Sequence, residues 1–555
     1  MNINLLDNRQ QVRNLNSKKE NNSKNNQNNT PSFKGITAVA DYLVTNPIWG
    51  ATATDVVSMG GPRTVIDAKN RGFSGGFETG FREFTSTGND AAVGAYGLLA
   101  GAAIAGMVKS IGLKDPQRIF ASNESLDLHT AKWESTGSKL GNFIDDYVES
   151  LRGFNPNSEH ANTDGYVKIA EDHKQAIKDD LTTLADTTLS KKDRKIVNKR
   201  LKARLLEATG ADTQMMLKHG KNKIEADATT MLDDFYRVTK ALREKTAETT
   251  TEKFLSKVKS FGKWRALLGL GLAMGISSAT QPINVYLTKK RTGSDGFAGM
   301  PDRQKDNSAK FKMMKAASAV GMGALALATM KAKPSQVMDR IMFKSAIPSM
   351  NQIKALFGVT IMSRQLVARD KDELNETNRK DMLGFVNWLI VGNLINKGVL
   401  MGAQDKNNPV VRVSEADKAK KGIKGAFARF ANSNIASRRE VLVEGLMKEG
   451  KSAIKENGVA KTLTEMLKEL PKNSAARKNI KLLNIAQAIN YAYTIAVLGV
   501  GIPKLNIAMT NRAQKKRKAQ KQQMIMDNVM TQKNQEFVNE KSGFESFTAF
   551  KGSKM

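Results

Sequence analysis

The chain has 555 residues, 87 basic and 54 acidic, giving a formal charge of +33 and a pI near 9.9. That surplus implies an anionic partner, either nucleic acid or the negative face of a lipid bilayer, while 6% aromatic residues is lean for a protein that stacks single-stranded bases. The absence of cysteine excludes disulfides, thiol nucleophiles and every cysteine-containing zinc or iron–sulfur site.

Residues 1–34 are Asn-rich and lack the apolar core of a signal peptide. They read as a disordered leader with no cleaved signal, so entry into a membrane would use an internal segment. Residues 35–113 read as a Gly-rich connector followed by a first membrane helix. In the connector, Gly60, Gly61 and Pro62 predict short, broken helices. The helix is AAVGAYGLLAGAAIAGMV, Ala91 to Val108, uncharged between Asp90 and Lys109 and roughly 27 Å long at about 1.5 Å per residue.

From 114 to 263 the composition turns polar and charged. Met231, Phe235, Val238 and Leu242, then Phe254, Val258 and Phe261, fall on one face of a helical period. Ser190 with Asp193 has the form of a capping box ahead of Ile196, Leu201 and Leu205. Lys109 to Arg265 carries 29 basic and 24 acidic residues, so this predicted helical domain is nearly balanced and the charge surplus lies elsewhere.

Apolar runs return within 264–404, at Ala266 to Thr288, Ala316 to Met330 and Met382 to Asn396. Residues 405–481 read as basic amphipathic helices, 482–503 as a last membrane helix and 504–555 as a basic tail. Long uncharged runs bracketed by charge predict spans of a bilayer rather than core helices of a soluble bundle. Gly97 with Gly101, and Gly271 with Gly275, have the small-residue spacing that brings helices close in lipid, within the chain or in self-association. Asn484, Gln487 and Asn490 form a polar stripe in the last run, expected to hydrogen-bond to another helix, with a water-lined path as the sharper reading.

Beyond Pro503, Arg512, Lys515, Lys516, Arg517, Lys518 and Lys521 cluster with no acid among them, the composition that holds a cytoplasmic segment against anionic lipid. The segment Lys289 to Lys315, with eight basic and three acidic residues, is also strongly basic. Five crossings would put these two segments on opposite sides, against the positive-inside rule. If only one of the two 15-residue runs crosses, they share a side, and the balanced domain faces outward.

Motifs for chemistry are weak. GLMKEGKS, Gly445 to Ser452, fits the phosphate-loop spacing, but Leu446 to Glu449 are helix formers, Glu449 would set a carboxylate beside a phosphate, and no parallel-sheet pattern surrounds it. His129, His160, His173 and His219 lack the spacing of paired metal ligands. The adjacent pairs Asp145–Asp146, Asp179–Asp180 and Asp233–Asp234 diverge by about 100° on a helix and read as solvated faces. The sequence therefore predicts an all-α, multi-pass protein of the plasma or inner membrane, non-enzymatic and without metal or cofactor, with a structural or interaction role at anionic lipid. The alternative is a soluble basic helical protein that binds nucleic acid.

Overall fold

The computed structural model describes residues 41, 43, 47–296, 305–330 and 333–552; the predicted leader, 1–34, lies outside them. The protein is mostly helical, 74% of its residues. Among the described residues three helices are long and apolar enough to cross a membrane: Thr251–Thr292, Ala309–Met330 and Ala475–Phe537.

Among the described residues seven helical legs stand side by side. α1 (residues 47–71) and α2 (residues 73–103) form a hairpin whose tip is Gly72, at φ 70° and ψ −172°. A residue without Cβ takes that positive φ at no steric cost. Small residues bring the two legs close: a Cβ on Gly76 would lie 2.6 Å from that of Ala68, and one on Gly80 3.2 Å from Thr64. α3 (Thr251–Thr292) runs antiparallel to α2, with Gly269 against Gly97 at one end and Arg291 on Ser74 at the other. α4 (Ala309–Met330) and α5 (Met350–Val367) are antiparallel to each other, Lys354 Nζ donating to the Thr329 carbonyl at 2.8 Å. α6 (residues 371–403) and α7 (residues 475–552) complete the bundle, Tyr493 donating to Asn387 Oδ1 at 2.5 Å and Arg379 to Asn506 Oδ1 at 2.9 Å.

Several expectations need correction. The predicted connector is a full leg, and its helix passes through Gly60, Gly61 and Pro62 to break at Gly72 instead. The predicted span Ala91 to Val108 stops at Ala103, and the leg to which it belongs starts thirty residues' worth of helix earlier, near Phe73. Hydropathy rejected that stretch because it holds Glu78, Arg82, Glu83 and Asp90, yet Glu78 and Asp90 are buried in the bundle. α5 was missed for the same reason, since Lys354 and Arg364 interrupt it; at about 1.5 Å per residue its 18 residues cover roughly 27 Å. With α1 and α5 added, the described residues 289–296 and 305–315 and the start of the basic tail come to the same end of the bundle. Arg369 donates to the Gly296 carbonyl at 3.1 Å there, and Arg517 to Asp372 Oδ1 at 2.8 Å.

At the other end sits a body built on residues 109–250. It is not purely helical: Leu151–Phe154 (β1), Tyr166–Lys168 (β2), Met215–His219 (β3) and Asn222–Ala226 (β4) form an antiparallel sheet in the order β2-β1-β3-β4. Strands of three to five residues are too short for a period to be read. The predicted stripe Met231, Phe235, Val238 and Leu242 is buried on Ala228–Glu244, and Ser190 caps Lys191–Thr209 by accepting from the Asp193 N–H. The aspartate pairs divide: Asp180 is buried against Arg200 and Arg204, and Asp234 is buried, whereas Asp145 and Asp179 are exposed. Residues 405–481 contribute a small pairing of Val411–Arg412 (β5) with Asn434–Ile435 (β6) and dock on the body, where Glu440 Oε1 accepts the N–H groups of Asp212 and Thr213 at 2.8 and 3.0 Å.

The glycines separate into two kinds. Gly97 and Gly101 are buried, and a Cβ on Gly97 would lie 2.6 Å from the Phe343 ring. Gly271 and Gly275 are exposed on α3 with nothing within 4 Å of such an atom. Gly97→Val should therefore destabilise the detergent-solubilised chain by about 1–3 kcal/mol through overpacking, while Gly271→Val should leave its thermal midpoint unchanged. Equal losses from the two substitutions would contradict this packing.

Candidate functional site

The phosphate-loop spacing folds as the end of a helix. Gly445 to Lys448 belong to Arg438–Lys448, Gly450 terminates it with φ +66°, Lys451 Nζ donates to the Glu469 carbonyl and Ser452 Oγ to Glu207. In the body Ser125, His129 and Asp234 come together, but Asp234 accepts from Ser125 Oγ at 2.6 Å rather than from the imidazole. All three are buried. That is not the relay of a nucleophilic triad, in which the acid orients the base. Burial pushes the His129 imidazole down to about 4 and the Asp234 carboxyl up to about 7.

The charged side chains that matter face inward from the bundle. In α1, Arg63, Asp67 and Arg71 recur every four residues and so share one helical face. That face meets α2 and the corner between α5 and α6. Arg63 Nε donates to the Leu498 carbonyl at 3.1 Å and lies 3.6 Å from Glu83. Asp67 accepts from Thr79 at 2.5 Å, and Arg71 makes a two-pronged pair with Glu376, both contacts at 2.7 Å. Arg364 lies 3.1 Å from Asp381, and Arg369 bridges Glu78 and Glu373 at 2.6 and 2.8 Å. Lys380 sits between two chains of pairs, 3.7 Å from Asp67 and 3.8 Å from Glu83. Charges withdrawn from water to this degree persist only when paired and hydrogen-bonded.

Three cavities follow this array. The largest, about 780 Å³, opens between the body and the bundle. Lys202, Asp212 and Arg438 line it from the body side, and Thr54, Trp388, Gln487, Asn490 and Thr494 from the legs. A middle cavity of about 70 Å³ is lined by Asp55, Arg63, Glu83, Arg364, Lys380, Asp381 and Trp388. The lowest, about 30 Å³, is lined by Arg71, Glu78, Arg82, Glu373, Glu376 and Lys380.

Four π-helical stretches supply much of this lining: Thr54–Gly60, Asn378–Met382, Asn387–Val391 and Thr494–Gly501. Each extra residue per turn rotates a side chain out of the regular register, a device that recurs at functional sites. It brings Asp55, Lys380, Asp381, Trp388 and Thr494 onto the cavity walls.

The predicted polar stripe divides between its two readings. Asn484 accepts from Arg438 Nε at 2.9 Å and Gln487 from the same guanidinium, a helix-to-helix contact. Gln487 and Asn490 also line the large cavity. Of the predicted lipid-contact cations, Arg512, Lys515, Lys516, Lys518 and Lys521 are exposed on α7, whereas Arg517 is tied to Asp372. Among the described residues no group of three or more His, Asp or Glu side chains could hold a metal ion.

The rest of the site escaped sequence reasoning. Its signal was the four-residue recurrence Arg63, Asp67 and Arg71, set beside the aromatic stripe Phe73, Phe77, Phe81 and Phe84.

Arg364→Ala leaves Asp381 buried without its partner, which should cost about 3–5 kcal/mol. Arg364→Ala/Asp381→Ala should cost less than the sum of the two single changes, measured as thermal midpoints in detergent; strict additivity would place the pair outside any shared network. In the body, Asp234 is protonated in the folded chain up to about pH 7 but ionises near its ordinary 3.8 when unfolded. The folded state thus holds an extra proton in that window, and the group's contribution to stability falls as pH rises through it. Asp234→Asn should gain on the parent chain between about pH 4 and 7, by up to about 1.4 kcal/mol per pH unit. A difference in midpoint that stays flat with pH would refute this.

Compared with family models, curated proteins and solved structures, the chain matches none, so its chemistry is read from geometry alone.

Proposed function

We propose that this chain is a multi-pass integral membrane protein of structural or interaction type, with all seven legs crossing an anionic bilayer. The observation that carries this reading is the inversion of its surface. Phe73, Phe77, Phe84, Leu98 and Leu99 on α2, and Leu267, Leu268, Leu272 and Ile283 on α3, point outward, while the ionised side chains are turned in. Water would favour the reverse arrangement, and hydrocarbon favours this one.

The end that gathers residues 289–296, 305–315 and the start of the basic tail is the cytoplasmic face under the positive-inside rule, and the body stands on the opposite face. Arg512, Lys515, Lys516, Lys518 and Lys521 then project along a helix at the level of anionic headgroups, with Arg517 fixing that helix to the bundle through Asp372. Gly271 and Gly275, bare on the outside of α3, offer the groove for helix-mediated self-association.

Membranes carrying the full chain should keep it in the pellet after alkaline carbonate and release it into detergent; recovery in the carbonate supernatant would end this reading. A peptide covering 504–530 should bind vesicles containing acidic lipid, with each cation contributing about 1 kcal/mol, and release them at high salt. Competition at matched charge separates the rival: duplex DNA stripping the peptide from vesicles, together with a soluble full-length chain, would favour nucleic-acid binding.

A further inference from the structure

We propose that the bundle conducts protons, along a path from the large cavity beside the body, through Asp55 and Lys380, to Glu376 at the opposite end. The inference rests on the membrane reading above and adds an activity to it.

Its basis is continuity. Trp388 lines both the large and the middle cavity, and Lys380 lines both the middle and the lowest. The three spaces therefore abut in series along the bundle, each walled by ionisable groups. Their sizes decide what can pass. At about 70 and 30 Å³ the inner two hold short files of water, at roughly 10–15 Å³ for each molecule. Organic solutes are too large. Fixed guanidinium groups of Arg63 and Arg364 oppose a metal cation, and the carboxylates opposite them oppose an anion. A proton moving between water and side chains meets neither barrier.

Lys380 is the pivot. Among the described residues every other cation lining the two inner cavities is an arginine, which does not release its proton. The Lys380 ammonium lies within ion-pair range of Asp67 and Glu83 but in hydrogen-bond range of neither, so its protons are available to both cavities. A second observation is independent of the cavities. Asp90 is buried at 4% exposure, and among the described residues neither of its carboxylate oxygens receives a hydrogen bond. It stands one helical turn beyond Ser86 and Thr87, which line the middle cavity, and within the field of Asp55. Unpaired intramembrane carboxylates mark proton relays rather than structural pairs.

The steps balance. Hydronium passes from the large cavity beside Trp388 into the middle one, gives its proton to the Asp55 carboxylate, with Asp90 nearby as a second acceptor, and leaves water. Lys380 releases a proton into the lowest cavity and takes the one that Asp55 hands on through the water of the middle cavity, returning to ammonium. Glu376 receives the released proton and passes it to solvent at the basic end. Only O–H and N–H bonds form and break, and no other reactant is needed.

The full chain is reconstituted in liposomes enclosing a pH-sensitive dye, and a potassium diffusion potential is set with valinomycin. Parent protein and the body-surface variant Lys192→Gln should change the internal pH faster than protein-free vesicles. Lys380→Arg keeps the charge and its pairs but cannot hand on a proton, so it should lose the protein-dependent flux while keeping the parent's thermal midpoint. Asp55→Asn should lose it as well, and Asp90→Asn should slow it. Parental flux in Lys380→Arg, or a flux carried by sodium without a pH change, would overturn the proposal. So would a parent chain that resists carbonate in these liposomes yet adds no flux, leaving the membrane reading intact; a chain that carbonate removes would overturn both.

Discussion

The fold turns on the ionic ladder between the α1–α2 hairpin and the corner joining α5 to α6. Arg63, Asp67 and Arg71 are committed to one face of α1 by the helical repeat. Once that face leaves water, each group must find an opposite charge at the matching height on a neighbouring leg. Glu83 on α2 and Glu376 on α6 supply partners for Arg63 and Arg71, while Arg369, at the end of α5, reaches across to Glu78. Register, tilt and neighbour choice follow from these pairs, because a slip of one turn would strand several buried charges together. The small residues Ala68, Gly76 and Gly80 bring the helices close enough for short side chains such as Thr79 and Asp67 to meet.

The body is bound to this ladder rather than hung from it. Lys397 on α6 donates to the Ser433 carbonyl at 2.7 Å, and Arg438 holds Asn484 and Gln487 of α7. Glu440 on the same helix as Arg438 accepts from Asp212 and Thr213. A displacement of α6 or α7 is therefore felt at the wall of the large cavity and at the sheet end of the body. The π-helical stretches lie between these anchors, where α1 and α6 bring Asp55, Lys380 and Trp388, and α7 brings Thr494, to the cavity walls. A regular i to i+4 ladder would turn some of these side chains away from the cavities, so the irregular turns and the buried polar column are parts of one arrangement.

Some of this was written in the chain itself. The uncharged runs at 266–288, 316–330 and 482–503 determine helices suited to lipid, because length and apolarity are local properties. The cation cluster at 512–521 and the helix formers of GLMKEGKS determine their local conformation in the same way. The hairpin at Gly72, the crossing-length leg α2 and all of α5 were decided only by tertiary structure. Their charges look disqualifying when each residue is weighed against water alone, and the partners that neutralise them, such as Glu78 for Arg369 and Asp381 for Arg364, come from distant parts of the chain. The same holds for Asp180 and Asp234, which adjacency made look solvated and packing made buried. Hydropathy records what a side chain loses on leaving water; only the assembled fold shows what it meets on arrival.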